Sequence, residues 1–202
     1  MKNSIERLRI LISRLFAVAM IGLILVSGSH WQADVPLLGS VLFCLGAMLA
    51  GVASLGRMWC SLYIAGYKTN KLITEGPYSL TRNPLYFFSF LGAIGIGLVT
   101  ETFFLSLVML IGFAIYYPMV IKSEEAKLLK LHSDDYDAYF KKTPRFFPNF
   151  SALTEPQEYE VKPIIYRKHI LDAVWFIWIL GVLEILKELR GLDIIPTYFT
   201  FY

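Results

Sequence analysis

Two polar stretches of this chain carry the side chains able to do chemistry. In the first, Glu75-Gly76-Pro77-Tyr78 is followed by Arg82-Asn83-Pro84 and then Tyr86. Gly-Pro marks a turn, and a proline at position 84 pushes Asn83 out of helical geometry and suits the first position of a new helix. Arg82 and Asn83 therefore sit beside a helix start, where free backbone N–H groups and an arginine fork favour a carboxylate or phosphate. The second stretch holds Glu124 and Glu125, then Asp135, Tyr136, Tyr139 and Phe140, and ends Thr143-Pro144-Arg145-Phe146-Phe147-Pro148. Each feature also has a plainer reading. Arg82 alone would pass for an arginine snorkelling at an interface. The two glutamates could pair with Lys122 or Lys127 at little gain, and the aromatics could form an interfacial belt.

The elements that must position these groups are apolar. Of 202 residues, 56% are hydrophobic and 17% charged, where a soluble domain would be nearer a quarter charged. Five apolar runs account for the excess: Ile10–Val26, Leu37–Leu55, Leu85–Val99, Thr102–Ile121 and Ile170–Leu186. About 20 residues are needed to cross roughly 30 Å of hydrocarbon. The second and fourth runs meet this. The third is short, so it borrows residues from before Pro84 or crosses only partly, and it forms a hairpin with the fourth that turns near Glu101. The expected fold is an all-α, polytopic membrane protein of about five transmembrane helices in a single domain, 1–202, whose connecting segments form the pocket. Leu128, Leu129, Leu131, Tyr136, Tyr139 and Phe140 recur at three- and four-residue spacing, so the fourth helix continues past the membrane or bends along its surface. Gly92, Gly95 and Gly97 leave room on the third helix for another helix or a ligand.

Of the 19 basic residues, all but Lys187 and Arg190 fall on one side of these runs. That includes Lys2, Arg7, Arg9, Arg57 and Lys68, the last two counted in the second connection. The excess places the N-terminus and both polar stretches in the cytoplasm and the C-terminus on the opposite side. Arg14 and a run that reaches Val26 favour an anchor over a cleaved signal peptide. A net charge of +3 gives no reason to invoke nucleic acid. Cys44 and Cys60 flank the second run and read as apolar packing residues. His30, His132 and His169 read as interfacial, and no metal site is expected. The C-terminal Tyr-Phe-Thr-Phe-Tyr reads as an interfacial belt on the outer side.

In the right order on one face, the two stretches resemble the signatures of the isoprenylcysteine carboxyl methyltransferase family and the related phospholipid methyltransferases. The first signature runs roughly G-P-Y-x-x-x-R-H-P-x-Y-x-G. Gly76, Pro77, Tyr78, Arg82, Pro84 and Tyr86 match it, with Gly95 where a later glycine is often kept. The second is a glutamate pair, an acidic-Tyr element, a tyrosine and an Arg-Phe-x-Pro ending. Glu124, Glu125, Asp135, Tyr136, Tyr139, Arg145, Phe146 and Pro148 match that. The resemblance covers about residues 71–148. Asn83 departs from it by replacing a histidine with a neutral amide, and Phe88 by replacing a glycine with an aromatic ring.

The resemblance implies an enzyme that moves a methyl group from S-adenosyl-L-methionine, leaving S-adenosylhomocysteine, to a lipophilic or prenylated acceptor entering from the membrane lipid. It implies cofactor-binding roles for Tyr78, Arg82, Asn83, Tyr86 and Glu125. Arg145 would orient an acceptor carboxylate, the favoured nucleophile and of the isoprenylcysteine type. Glu124 or His132 would be the base if the acceptor were a phospholipid amine. Two further readings compete: a membrane sterol-type reductase using NADPH, for which 202 residues leave little room, and a non-enzymatic membrane adaptor.

Overall fold

Helix-forming and helix-breaking residues divide the chain cleanly. The computed structural model describes residues 4–67 and 71–202, with backbone alone for residues 4–10, 32–33 and 133–135. Lys2, Lys68 and the side chains of Arg7, Arg9 and Asp135 thus lie outside the described residues. The elements are α1 (Ser4–Val26), β1 (Ser27–Ser29), α2 (Trp31–Asp34), α3 (Pro36–Ile64), α4 (Pro77–Leu80), α5 (Pro84–Val99), α6 (Phe103–Lys142), a 3-10 turn (Phe150–Ala152), α7 (Pro163–Gly191) and β2 (Phe199–Phe201). Prolines open α3, α4, α5 and α7 at or next to the first helical position, where a missing N–H costs nothing.

Among the described residues, three stretches are long and apolar enough to cross a bilayer: Pro36–Ile64, Phe103–His132 within α6, and Pro163–Gly191. Leu11–Val26 and Pro84–Val99 are shorter apolar helices. The short third run borrows nothing from before Pro84: α5 has 16 residues, about 24 Å of helix. α6 runs on for 40 residues, so it leaves the apolar layer without a break and carries Glu124 to Phe140 as one rigid extension. Outward-facing apolar side chains such as Leu37, Val18, Ile115 and Trp178 are more than half exposed, as expected of a surface bathed in lipid rather than water.

The bundle is assembled by close approach at small residues. α5 packs against α3, α6 and α7. A Cβ added at Gly46 of α3 would sit 2.6 Å from the Gly95 carbonyl oxygen, and one added at Gly95 would sit 2.7 Å from that of Gly46. Without strong hydrophobic drive between helices in lipid, such backbone contact is what holds them. Gly97 lies equally close to Ser106, and the Phe176 ring of α7 fills the space beside Gly92. The room expected at Gly92, Gly95 and Gly97 is thus taken by neighbouring helices. The hairpin between α5 and α6 turns at Glu101 in the left-handed region (φ 58°).

Two expectations change. α3 extends to Ile64 because the apolar sequence resumes after Arg57, so Arg57 is a helix residue within the apolar layer, not part of a connection, and Cys44 and Cys60 both lie inside α3. The C-terminal aromatics do more than form a belt: β2 pairs in parallel with β1, Ser27 opposite Phe199, and His30 stacks on Tyr202 with ring centroids 4.6 Å apart. This two-stranded clasp and the Glu101 turn share one end of the bundle. The two polar stretches share the other.

Candidate active site

The first polar stretch is shaped by a glycine. Gly76 adopts φ 59°, and a Cβ there would fall 2.4 Å from the Tyr63 ring, so only glycine permits the turn into α4. Backbone and hydroxyl bonds then lace this segment to the end of the second stretch. The Gly76 N–H donates to the Thr154 carbonyl at 2.8 Å, the Arg82 N–H to the Pro144 carbonyl at 2.8 Å, and the Asn149 N–H to the Leu80 carbonyl at 2.9 Å. The Tyr139 hydroxyl, on the extension of α6, donates to the Tyr78 carbonyl at 2.7 Å. Segments some 60 residues apart become one ridge.

That lacing delivers charged groups to one point. Glu125 is buried on α6, and Arg82 Nε lies 3.2 Å from its Oε1, with side-chain exposures of 10% and 7%. The N–H itself is not aimed at that oxygen, so the pair is held by charge more than by a directed bond. Arg145 Nε lies 3.2 Å from Oε2 of the same carboxylate, with its side chain 46% exposed. The Asn83 amide donates to Glu125 Oε1 at 3.1 Å and to the Arg145 carbonyl at 2.9 Å. Asn83 therefore ties both stretches together where the family histidine would stand, and its side chain does not cap α5. Arg82 is steadied from its other sides, donating to the Phe140 carbonyl at 2.7 Å and stacking 3.8 Å above the Phe140 ring. One carboxylate between two guanidiniums leaves a surplus positive charge in a mostly dry place.

On α4 and on the extension of α6, buried polar atoms have no hydrogen-bond partner. The Tyr78 and Tyr136 hydroxyls are buried and unpaired, as is His132 Nε2. Burial pushes the Tyr78 phenol well up, with charge from Tyr139 and Glu124 adding to it. Burial also pushes Tyr136 up to about 12; the Glu125 charge adds to this and Arg82 and Arg145 oppose it. Both phenols are thus neutral donors at ordinary pH. A buried polar group left unpaired costs about 1–3 kcal/mol, a cost that a ligand supplying acceptors would remove. Glu124 is half-buried, and its charge acts on Tyr78. Tyr86 meets Tyr117 of α6 edge to face at 5.2 Å.

Of the seven residues singled out in the sequence, Arg82, Asn83, Glu125 and Arg145 converge on one carboxylate. Tyr78 on α4 packs its ring against Cys60, Tyr63 and Ile73, and Tyr86 lies one turn beyond Asn83 on α5. Sequence reasoning missed Phe140, whose ring carries Arg82, and Phe146, whose ring lies 5.9 Å from Phe87 and 5.7 Å from Phe90, wedging the returning segment into the bundle. Phe88 sits against Gly56: a Cβ there would meet its ring at 2.1 Å. The ring occupies helix-packing space. Among the described residues no three His, Cys, Asp or Glu side chains gather to hold a metal ion.

Residues 35–135 match the model of the phospholipid methyltransferase family. The chain is 35% identical over 90% of its length to the nickel-cobalt-cadmium resistance protein NccN of Alcaligenes xylosoxydans xylosoxydans, covering 84% of that protein. It is likewise 35% identical, over 90% of its length and 83% of the other, to the cobalt-zinc-cadmium resistance protein CzcN of Cupriavidus metallidurans. A more distant similarity, 31% over 52% of this chain and 46% of the other, is to the protein-S-isoprenylcysteine O-methyltransferase of Schizosaccharomyces pombe. No solved structure matches.

Proposed function

The chain belongs to the phospholipid methyltransferase family, and from that premise we propose that it is an integral membrane enzyme moving a methyl group from S-adenosylmethionine to a lipophilic acceptor. The observation that carries this reading is the convergence of Arg82, Asn83 and Arg145 on the buried Glu125, near the unpaired Tyr136 hydroxyl.

The donor set suits the cofactor. Its carboxylate balances the surplus guanidinium charge, helped by the uncapped start of α5. Its hydroxyls and ring nitrogens give Tyr136 the acceptor it lacks. Tyr86, on the next turn of α5, presents a ring to a cationic centre. When bound, that cofactor supplies an electrophilic methyl on a positively charged sulfur. The protein's own part is alignment and exclusion of water, and holding two reactants in line is worth up to ~7–11 kcal/mol of barrier. Glu125 positions both guanidiniums, and Arg145, tied to that carboxylate, serves the cofactor side of the site. The acceptor reaches the site from the bilayer between the helices. The positive-inside bias puts this end of the bundle in the cytoplasm.

The metal resistance in the names of two relatives describes those proteins. Radiolabelled methyl transfer from S-adenosylmethionine into total membrane lipid and into small prenyl-cysteine acceptors tests the proposal. Label should appear in an organic-extractable product with the native chain and vanish with Glu125→Ala. No labelled product with the native chain, over both acceptor classes, refutes it.

A further inference from the structure

The cofactor site does not explain the place of Arg57 in the fold. This residue lies on α3, seven residues from its end at Ile64, about 10 Å in from that end. Its side chain turns inward rather than out toward lipid headgroups: the guanidinium donates to the Ser89 hydroxyl of α5 at 2.5 Å and lies 5.8 Å from the Phe176 ring of α7. Its Nε is buried with no acceptor. Among the described residues no carboxylate pairs with it. A guanidinium inside the apolar layer is expensive, and one retained there without an acid marks a site for an anion that arrives from elsewhere. A hydroxyl and a ring face are weak compensation for a full charge.

Its position relative to the cofactor site is informative. Asn83, Tyr86 and Ser89 succeed one another at three-residue spacing, so they are neighbours along one side of α5. The Arg57–Ser89 contact is therefore about 9 Å deeper in the membrane than Asn83, with Tyr86 between. We propose that Arg57, with Ser89, holds the anionic head of the acceptor, and hence that the acceptor is a lipophilic carboxylate rather than a lipid amine. This deepens the methyltransferase reading and rests on it. A carboxylate there needs no general base. Its oxygen lone pair forms the new C–O bond, the methyl–sulfur bond breaks, and that electron pair returns to sulfur, so no proton moves. The product ester is neutral. Arg57 then loses its counter-charge, which favours release of the ester sideways into lipid.

The test compares carboxylates with their uncharged twins. Affinities of full-length protein loaded with S-adenosylhomocysteine are measured for N-acetyl-S-farnesylcysteine and its primary carboxamide, and for palmitate and palmitamide. In the native chain at least one carboxylate should bind on the order of tenfold to a hundredfold tighter than its amide, the range for a charge-assisted contact. Arg57→Gln should bring that ratio close to one while leaving S-adenosylhomocysteine affinity unchanged, a split that a merely structural role would not give. Arg57→Lys keeps the charge without the fork, should retain part of the preference, and carries the test if the glutamine variant does not fold. The pair that shows the preference identifies the chain type. A preference that survives Arg57→Gln, or its absence for both pairs in the native chain, overturns the proposal. So does a preference abolished by anionic phospholipid in nanodiscs, which would make Arg57 a headgroup anchor. If the native chain does not bind S-adenosylhomocysteine at all, the methyltransferase reading fails instead, and the two failures are told apart.

Discussion

The two ends of the bundle each bury a glutamate against basic side chains, and they use it differently. At the clasp end Glu101 is buried, with Lys187 Nζ 2.6 Å from its Oε1 and Glu184 3.6 Å from the same ammonium. Arg190 donates to the Ile24 carbonyl. Acidic and basic charges there balance, although Glu184 Oε2 and Arg190 Nε are also buried without a partner, and the contacts run between the α5–α6 turn, α7 and α1. A cavity of about 220 Å³ opens beside them. At the other end Glu125 is outnumbered by two guanidiniums and lies near the unpaired Tyr136 hydroxyl. The lesson is that a buried ion pair is not by itself a functional site. A charge-balanced cluster staples helices, whereas a surplus of buried charge is incomplete without a ligand.

Substitutions can break or sharpen this contrast. The largest effect is expected for Arg82→Ala. It removes the buried partner of Glu125, leaving only the half-exposed Arg145 and the Asn83 amide, costs ~3–5 kcal/mol, and should weaken S-adenosylmethionine by two to four decades in calorimetric titration. Lys187→Met at the clasp end strands Glu101 behind a partly exposed partner. Thermal unfolding should register a loss of about 1–3 kcal/mol with cofactor affinity unchanged; a large affinity loss there would erase the distinction between the ends. Asn83→Ala removes the amide shared by Glu125 and Arg145, at a similar cost of about 1–3 kcal/mol, and here the loss should appear in cofactor affinity as well as in melting. Arg145→Ala should matter less, within roughly fivefold on affinity, because its half-exposed side chain is screened by solvent.

The smallest effect concerns pH. Tyr136 and Tyr159 are both raised from 10.0 to about 12, burial being the first cause in each. Their folded-state values lie above the unfolded one, so their contribution is intact below pH 10 and declines as pH climbs from 10 toward 12. Melting temperature should fall over that window, and less steeply in Tyr136→Phe. An identical slope would mean that this phenol is not shielded.

Much of this architecture is legible in the residues. Pro84 announces the start of α5, the spacing from Leu128 to Phe140 announces the continuation of α6, and Thr143-Pro144 announces its end. Each is a local rule with a steric or periodic cause. The partners of Glu125 were not legible. Which of Glu124 and Glu125 turns inward depends on the rotation of a 40-residue helix relative to α4, a tertiary fact. Lacing through Pro144, Asn149 and Thr154 is mostly backbone bonding and leaves no side-chain signature. Arg57 was visible as a lone charge, yet the apolar pattern alone did not tell a helix interior from a connection. The clasp of Ser27–Ser29 with Phe199–Phe201 joins segments too short and too distant in sequence for any pattern to pair.

The central claim is tested most directly by calorimetric titration of S-adenosylmethionine into three full-length proteins: the native chain, Glu125→Gln and Glu101→Gln. The account predicts saturable binding to the native chain, an equal affinity in Glu101→Gln, and loss of at least a hundredfold in Glu125→Gln. Equal affinities in all three, or a loss confined to Glu101→Gln, would contradict it.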